Sequence, residues 1–178
     1  PVGARRGRSG IMFIRQLFDA ETFTYTYLVA DEKAGRAVII DPVLERIDRD
    51  LKLIEELGLE LAYVLDTHAH ADHVTASGLM RDRTGVETVL SCHAGAPCVD
   101  RAVTEGDVIE VGELRLQVRE TPGHTDGCLT YVLEHDGRHY AFTGDALLVR
   151  GSGRTDFQGG SARKLYRSVH DKIYTLPD

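Results

Sequence analysis

The sequence predicts an α+β domain built from two β-sheets with helices packed outside them. Three observations carry that expectation. Segments rich in Phe, Tyr, Thr, Val and Ile come in runs along the chain, several with a two-residue alternation that suits half-buried strands. Between 44 and 57, apolar residues recur instead at steps of three and four. Side chains able to bind metals collect in loops directly after apolar runs, where strands would deliver them.

In chain order, Met12 to Phe18 and Phe23 to Ala30 read as strands, with Asp31 to Arg36 a turn leading to Ala37-Val38-Ile39-Ile40. These three form an antiparallel meander. Asp41-Pro42 ends it, because proline cannot continue a sheet ladder. Leu44, Ile47, Leu51, Ile54 and Leu57 mark one stripe of an amphipathic helix, and Gly58 is placed to cap it. Leu59 to Leu65 follows as a strand, Thr75 to Asp82 as a short helix ending near Gly85, and Glu87 to Cys92 as another strand. Asp107 to Val111 and Glu113 to Arg119 alternate around Gly112 as a hairpin does, and Cys128 to Leu133 pairs with Arg138 to Phe142 around His135-Asp136-Gly137. Leu165, Val169, Ile173 and Leu176 share one face of a helix spanning Ala162 to Leu176.

A chain of 178 residues with 42% hydrophobic and 28% charged residues can bury one substantial core. A net charge of -7 disfavours nucleic acid as a partner, since phosphate binding needs a basic surface. No apolar run approaches the roughly 20 residues of a membrane span. Cys92, Cys98 and Cys128 are an odd number and suit free thiols in a reducing compartment. Cys92 and Cys98 flank His93 at a spacing that fits no common zinc pattern, so all three read as small buried hydrophobes. Residues 1–11 carry three arginines, three glycines and no acid, which suits a cloning scar, or otherwise the end of a transit peptide. Met12 would serve as a natural start.

The stretch Thr67-His68-Ala69-His70-Ala71-Asp72-His73 places three histidines and a carboxylate within six residues of a strand end. The strand fixes the backbone while the loop lets side chains converge on one point, as a metal site requires. Two further loops follow strands. Thr121-Pro122-Gly123-His124-Thr125-Asp126-Gly127 holds His124 on constrained backbone, and Phe142-Thr143-Gly144-Asp145 presents a carboxylate. Taken singly, His124 reads equally well as a structural imidazole and Asp145 better as a cap. The case rests on the three loops together.

T-H-A-H-A-D-H, P-G-H-T and T-G-D, in that order, resemble the metallo-β-lactamase fold superfamily. The resemblance implies an αββα sandwich with a metal site at the edge where these loops meet. Arg15-Gln16-Leu17-Phe18, Thr24-Tyr25-Thr26-Tyr27-Leu28, Ile40-Asp41-Pro42-Val43, Gly144-Asp145-Ala146-Leu147-Leu148 and the segment from Arg150 to Gln158 are similar to its persulfide dioxygenases. The likeness runs through residues 12–178, which read as a metallo-β-lactamase-like domain incomplete at its C-terminus. It implies oxidation of glutathione persulfide by O₂ and water to sulfite and glutathione. It implies one Fe(II) per chain on His68, His124 and Asp145, with no organic cofactor. Two imidazoles and a carboxylate on one octahedral face are the donor set of non-haem iron(II) oxygenases.

The same resemblance makes His70, Asp72 and His73 either supports around that centre or ligands of a second metal, with Asp72 a candidate acceptor for the free nitrogen of a bound imidazole. His170, the one histidine after Asp145, reads as a surface residue of its helix. Arg150 and Arg154 are candidates for the glutathione carboxylates, although Arg154 could equally pair with Asp156. Gly151-Ser152-Gly153 stands where the group often has Gly-Cys-Gly, so no thiol there is essential. Two other functions remain open: a dinuclear zinc thioester hydrolase of the glyoxalase II type, and a catalytically idle metal-binding domain. A homodimer is one quaternary state open to the chain. The expected setting is the bacterial cytoplasm, with the mitochondrial matrix as the alternative.

Overall fold

The computed structural model describes residues 11–177, so the leader expected over 1–11 lies outside the described residues except for Ile11. Strands β1 (Met12–Asp19), β2 (Thr24–Asp31) and β3 (Arg36–Ile40) form the expected antiparallel meander. A 3₁₀ turn at Leu44–Arg46 leads into α1 (Ile47–Glu56), and Gly58 follows it with a left-handed φ of 65°. Then come β4 (Glu60–Leu65), α2 (Ser77–Thr84), β5 (Glu87–Ser91) and β6 (Arg101–Val103), each strand parallel to its predecessor. The first sheet therefore has the order β1-β2-β3-β4-β5-β6. The second, β10-β9-β8-β7, is antiparallel throughout and comprises β7 (Val108–Val111), β8 (Leu114–Glu120), β9 (Leu129–His135) and β10 (Arg138–Phe142).

The alternation of apolar residues decides how these layers stack. Val29, Val38, Ile40, Leu65 and Val89 face inward and pack against Ile109, Leu116, Val118, Leu129, Tyr131 and Leu133 of the second sheet. Their neighbours Ile39 and Val64 face outward onto Ile47 and Met80, and Leu28, Ala30 and Ala37 meet Ile54. A sheet covered on both faces needs unbroken apolar strands, which is why Ala37 to Ile40 shows no alternation. Each fully buried aliphatic side chain contributes about 1.5–3 kcal/mol. Helix α3 (Ala162–Ser168) places Leu165, and the turn that follows it places Val169, against Ala146 beside the second sheet, completing the αββα arrangement.

Four expectations need correction. The last helix is not uniform: beyond Ser168 it widens to a π turn at Val169–Ile173, with Tyr174 N–H donating to the Val169 carbonyl. Leu57 is exposed, so the buried stripe of α1 stops at Ile54. Strand β6 gave no sequence signal, because three residues show no period. Cys92 and Cys98 are exposed, since β5 ends at Ser91 and leaves both in the following loop; only Cys128 is a buried thiol, and no disulfide joins them.

Tyr131 ties the two sheets near the histidine loop: its buried hydroxyl donates to the Asp66 carbonyl at 2.9 Å. Tyr131→Phe removes that bond but keeps the ring, so chemical denaturation is expected to show a loss of roughly 1–2 kcal/mol. Tyr131→Ala is expected to cost about 3–5 kcal/mol, because it also opens a cavity between the sheets.

Candidate metal centre

Strand β4 continues one residue beyond its ladder, with Asp66 N–H donating to the Val89 carbonyl, and the chain then turns into the histidine loop. Thr67 anchors that turn. Its carbonyl accepts from Leu129 N–H, its own N–H donates to Asp41 Oδ1 at 2.7 Å, and its hydroxyl donates to Asp41 Oδ2 at 2.8 Å. With the hydroxyl proton committed to Asp41, the 2.9 Å contact between Thr67 Oγ1 and His68 Nδ1 has the imidazole as donor. His68 is therefore held in the tautomer that leaves Nε2 with a free lone pair. Asp72, the candidate acceptor, does not take this part; it faces His73 at 3.2 Å instead.

His124 is fixed in the same manner from the opposite side. Its Nδ1 donates to the Arg154 carbonyl at 2.8 Å, and its Nε2 lies 3.5 Å from Asp145 Oδ2. Two glycines permit this convergence. A Cβ on Gly153 would fall 2.7 Å from His124 Nδ1, and one on Gly144, whose φ is 49°, would fall 2.3 Å from Thr67 Oγ1. His68, His124 and Asp145 thus offer ligand atoms all within 4.8 Å of one another, and the His68 and His124 rings stand edge to face at 4.9 Å.

The electrostatics match the donor set. Burial, reinforced by the neighbouring His70 charge, pushes His68 down to about 3 and keeps it neutral. Burial opposes the charge on His70, but Asp41 beside it wins and raises the imidazole to about 9. Asp41 stays ionised below the usual carboxylate range: its burial is outweighed by His70 and by the Thr67 N–H. Burial raises Asp145 against the pull of His124 and His70. A neutral His68, a second imidazole at His124 and a carboxylate at Asp145 are a donor set that fits a divalent metal.

His70, Asp72 and His73 form an adjoining set, also within 4.8 Å. The His70 ring lies 4.0 Å from that of His68 and 4.2 Å from that of His73, with its Nε2 on Asp41 Oδ1 at 3.1 Å. His73 Nδ1 touches Asp72 and Thr24, while its Nε2 is buried with no hydrogen-bond partner. Burial lowers His73. His170 is exposed and stacks on Tyr166 at 3.9 Å, as a surface residue of the helix.

Residues 20–176 match the family model described as the metallo-beta-lactamase superfamily. The chain belongs to that superfamily. It is similar to human persulfide dioxygenase ETHE1, a mitochondrial protein, at 51% identity over 98% of this chain and 68% of that one. The mouse protein of the same name is 52% identical over 93% of this chain and 65% of its own length. The crystal structure of ETHE1 from Myxococcus xanthus superposes with a TM-score of 0.89 at 54% identity, covering 94% of this chain and 72% of that one. The chain thus spans about two thirds of the length of these mammalian relatives.

In this superfamily member two of the three converging side chains, His68 and Asp145, line a cleft of about 750 Å³; His124 is not among its lining residues. Phe23, Tyr25, Tyr27, Phe142, Leu147 and Leu148 wall it, and His68, His70, Asp72 and Asp145 reach into it. Arg150 and Arg154 do not line this cleft. They line a neighbouring groove of about 550 Å³ that shares Leu147 and Leu148 with it. Arg154 forms a bidentate pair with Asp156 at 2.8 and 3.0 Å, the structural alternative weighed from sequence. Its backbone carbonyl, rather than its guanidinium, touches the site.

Asp41, Thr67 and Gly153 escaped the sequence reading as site residues. Only the contiguity of Asp41 with a proline and of Thr67 with His68 could have flagged them. Thr67→Val removes the hydroxyl that orients His68. It is expected to weaken metal binding about 10–100-fold by competition with a chelator, with unchanged circular dichroism. Gly153→Ala drives a methyl into His124 and is expected to weaken binding at least as much.

Proposed function

We propose that this chain carries the centre of a persulfide dioxygenase, holding one Fe(II) on His68, His124 and Asp145. The reaction converts glutathione persulfide, O₂ and water to glutathione, sulfite and two protons, the outer sulfur losing four electrons to O₂. One observation carries the reading: three donors converge, and each imidazole is held through its Nδ1, which leaves Nε2 as the nitrogen to offer a metal. The 51% identity to the human persulfide dioxygenase supports the substrate class.

When bound, Fe(II) supplies the one-electron chemistry that lets O₂ react with a sulfur anion, and three protein donors leave open positions for both reactants. The chain's own residues do the rest. Asp41 and Thr67 hold His68 in its tautomer, and the Arg154 carbonyl does so for His124. His70 keeps its proton toward Asp41 across the neutral range, placing a positive charge beside a site that takes up an anion. Aromatic and leucine side chains wall the cleft and give the persulfide sulfur apolar neighbours. Arg150, exposed in the adjoining groove without an ion pair, is the cation free to meet a glutathione carboxylate; Arg154 is already paired. The reading includes no organic cofactor. A homodimer stays compatible with it. Among the described residues no helix is long and apolar enough to cross a membrane. Three unpaired thiols favour a reducing cytoplasm, with the matrix, as for the human relative, the alternative.

A second reading has its own support. The orphaned Nε2 of His73, beside Asp72, is what a second metal would satisfy, as a dinuclear thioester hydrolase requires. The two readings separate by mutation. Oxygen uptake is expected to depend on persulfide and to yield sulfite. His68→Ala, His124→Ala and Asp145→Ala are expected to abolish iron binding and uptake. His73→Ala is expected to keep most iron and lose about 10–100-fold in rate. Hydrolysis of S-lactoylglutathione without persulfide-dependent oxygen uptake would defeat the dioxygenase, as would equal metal loss in folded His73→Ala and His68→Ala.

A further inference from the structure

Another convergence of donors lies outside the cleft. Cys92 and His93 follow the last residue of β5, and Glu120 is the last residue of β8, so the group bridges the ends of the two sheets. The thiol sulfur, an imidazole nitrogen and a carboxylate oxygen lie within 4.8 Å of one another, and His93 Nε2 is 3.4 Å from Glu120 Oε1. Around a tetrahedral zinc with bonds of about 2.0 Å to nitrogen and oxygen and 2.3 Å to sulfur, ligand atoms sit roughly 3.3–3.5 Å apart. The imidazole–carboxylate edge already has that length, and the thiol needs only side-chain rotation to reach it.

We propose that Cys92, His93 and Glu120 form a second, independent site for a thiophilic divalent cation of the zinc class, with water as fourth ligand. The donor chemistry selects the ion. Magnesium and calcium take oxygen ligands, whereas a thiolate with an imidazole suits zinc. The backbone holds two of the donors. Cys92 N–H donates to the Val103 carbonyl, extending the parallel ladder by one residue, and Glu120 N–H donates to Glu105 Oε2 at 2.7 Å. The Thr104 hydroxyl donates to Glu120 at 2.7 Å and, above all other influences, holds its carboxyl below the ordinary range, so the ligand is ionised. Cys92 is exposed and the His93 side chain is 55% exposed, which leaves the ion a path in and a place for its water. Bound there, it clips the 92–100 loop to the second sheet.

None of the candidate residues at the cleft is a cysteine, so a thiolate-to-metal charge-transfer band reports this site alone. The test is titration of reduced, metal-free protein with Co²⁺, followed by displacement with Zn²⁺. A near-ultraviolet band is expected in wild type, saturating at one equivalent in His68→Ala, where the cleft no longer competes for Co²⁺. It should persist in His68→Ala and Cys98→Ser, vanish in Cys92→Ser, and need at least tenfold more Co²⁺ in His93→Ala and Glu120→Gln. Zn²⁺ should raise the thermal midpoint of wild type more than that of Cys92→Ser. No band in wild type, or a band that survives Cys92→Ser, would overturn the proposal whatever the cleft is found to catalyse. Cys92, His93 and Cys98 are exposed, so those variants test binding rather than folding; circular dichroism checks that Glu120→Gln and the buried His68→Ala are folded.

Discussion

Asp41 leaves β3 with a left-handed φ of 52°, and that turn sends its carboxylate under the loop that follows β4. There it accepts from Thr67 N–H, the Thr67 hydroxyl and His70 Nε2, while its own carbonyl takes the Thr26 hydroxyl at 2.8 Å. A non-glycine residue in this conformation costs of order 1–3 kcal/mol and persists only where surroundings fix it. Four hydrogen bonds to one buried residue are such surroundings. Without them, Thr67 would not orient His68, and His70 would lose the partner that keeps it charged. The central sheet is thus connected to the candidate metal site through one carboxylate.

The same logic runs through the other two loops. His124 depends on a backbone carbonyl at residue 154, and that carbonyl is brought close because Gly153 has no side chain. The Arg154–Asp156 pair, both groups exposed, acts by shaping this loop, and such a pair contributes little to stability by itself. Each presumptive donor nitrogen is therefore set by a neighbour on a different segment of chain. The strands supply rigid ends, and the loops supply partners that choose the tautomer.

This division explains what could be read in the sequence. Strands β1 to β5 and β7 to β10 were legible from runs of apolar, aromatic and β-branched residues, alternating in some and unbroken in β3, and helix α1 from its steps of three and four. His68, His124 and Asp145 were singled out by three loop motifs that together resemble the superfamily's, since each position alone had an equal or better structural reading; the fold brings the three side chains together. Asp41 was not, since an Asp before Pro reads as a strand terminator and nothing local shows that its carboxylate turns inward. The part played by the Arg154 carbonyl left no trace, because backbone groups have no residue code. The grouping of Cys92 and His93 with Glu120 was likewise invisible, because Glu120 is remote in sequence and only the fold brings the ends of β5 and β8 together.

A zinc atom at Cys92 would also complicate any simple metal count, since iron and zinc in one sample could be mistaken for a dinuclear centre. The most direct measurement is therefore metal analysis of anaerobically purified Cys92→Ser protein, which leaves only the cleft to be counted. A mononuclear centre predicts one iron per chain and no stoichiometric zinc. Two zinc atoms per chain in that variant would contradict it.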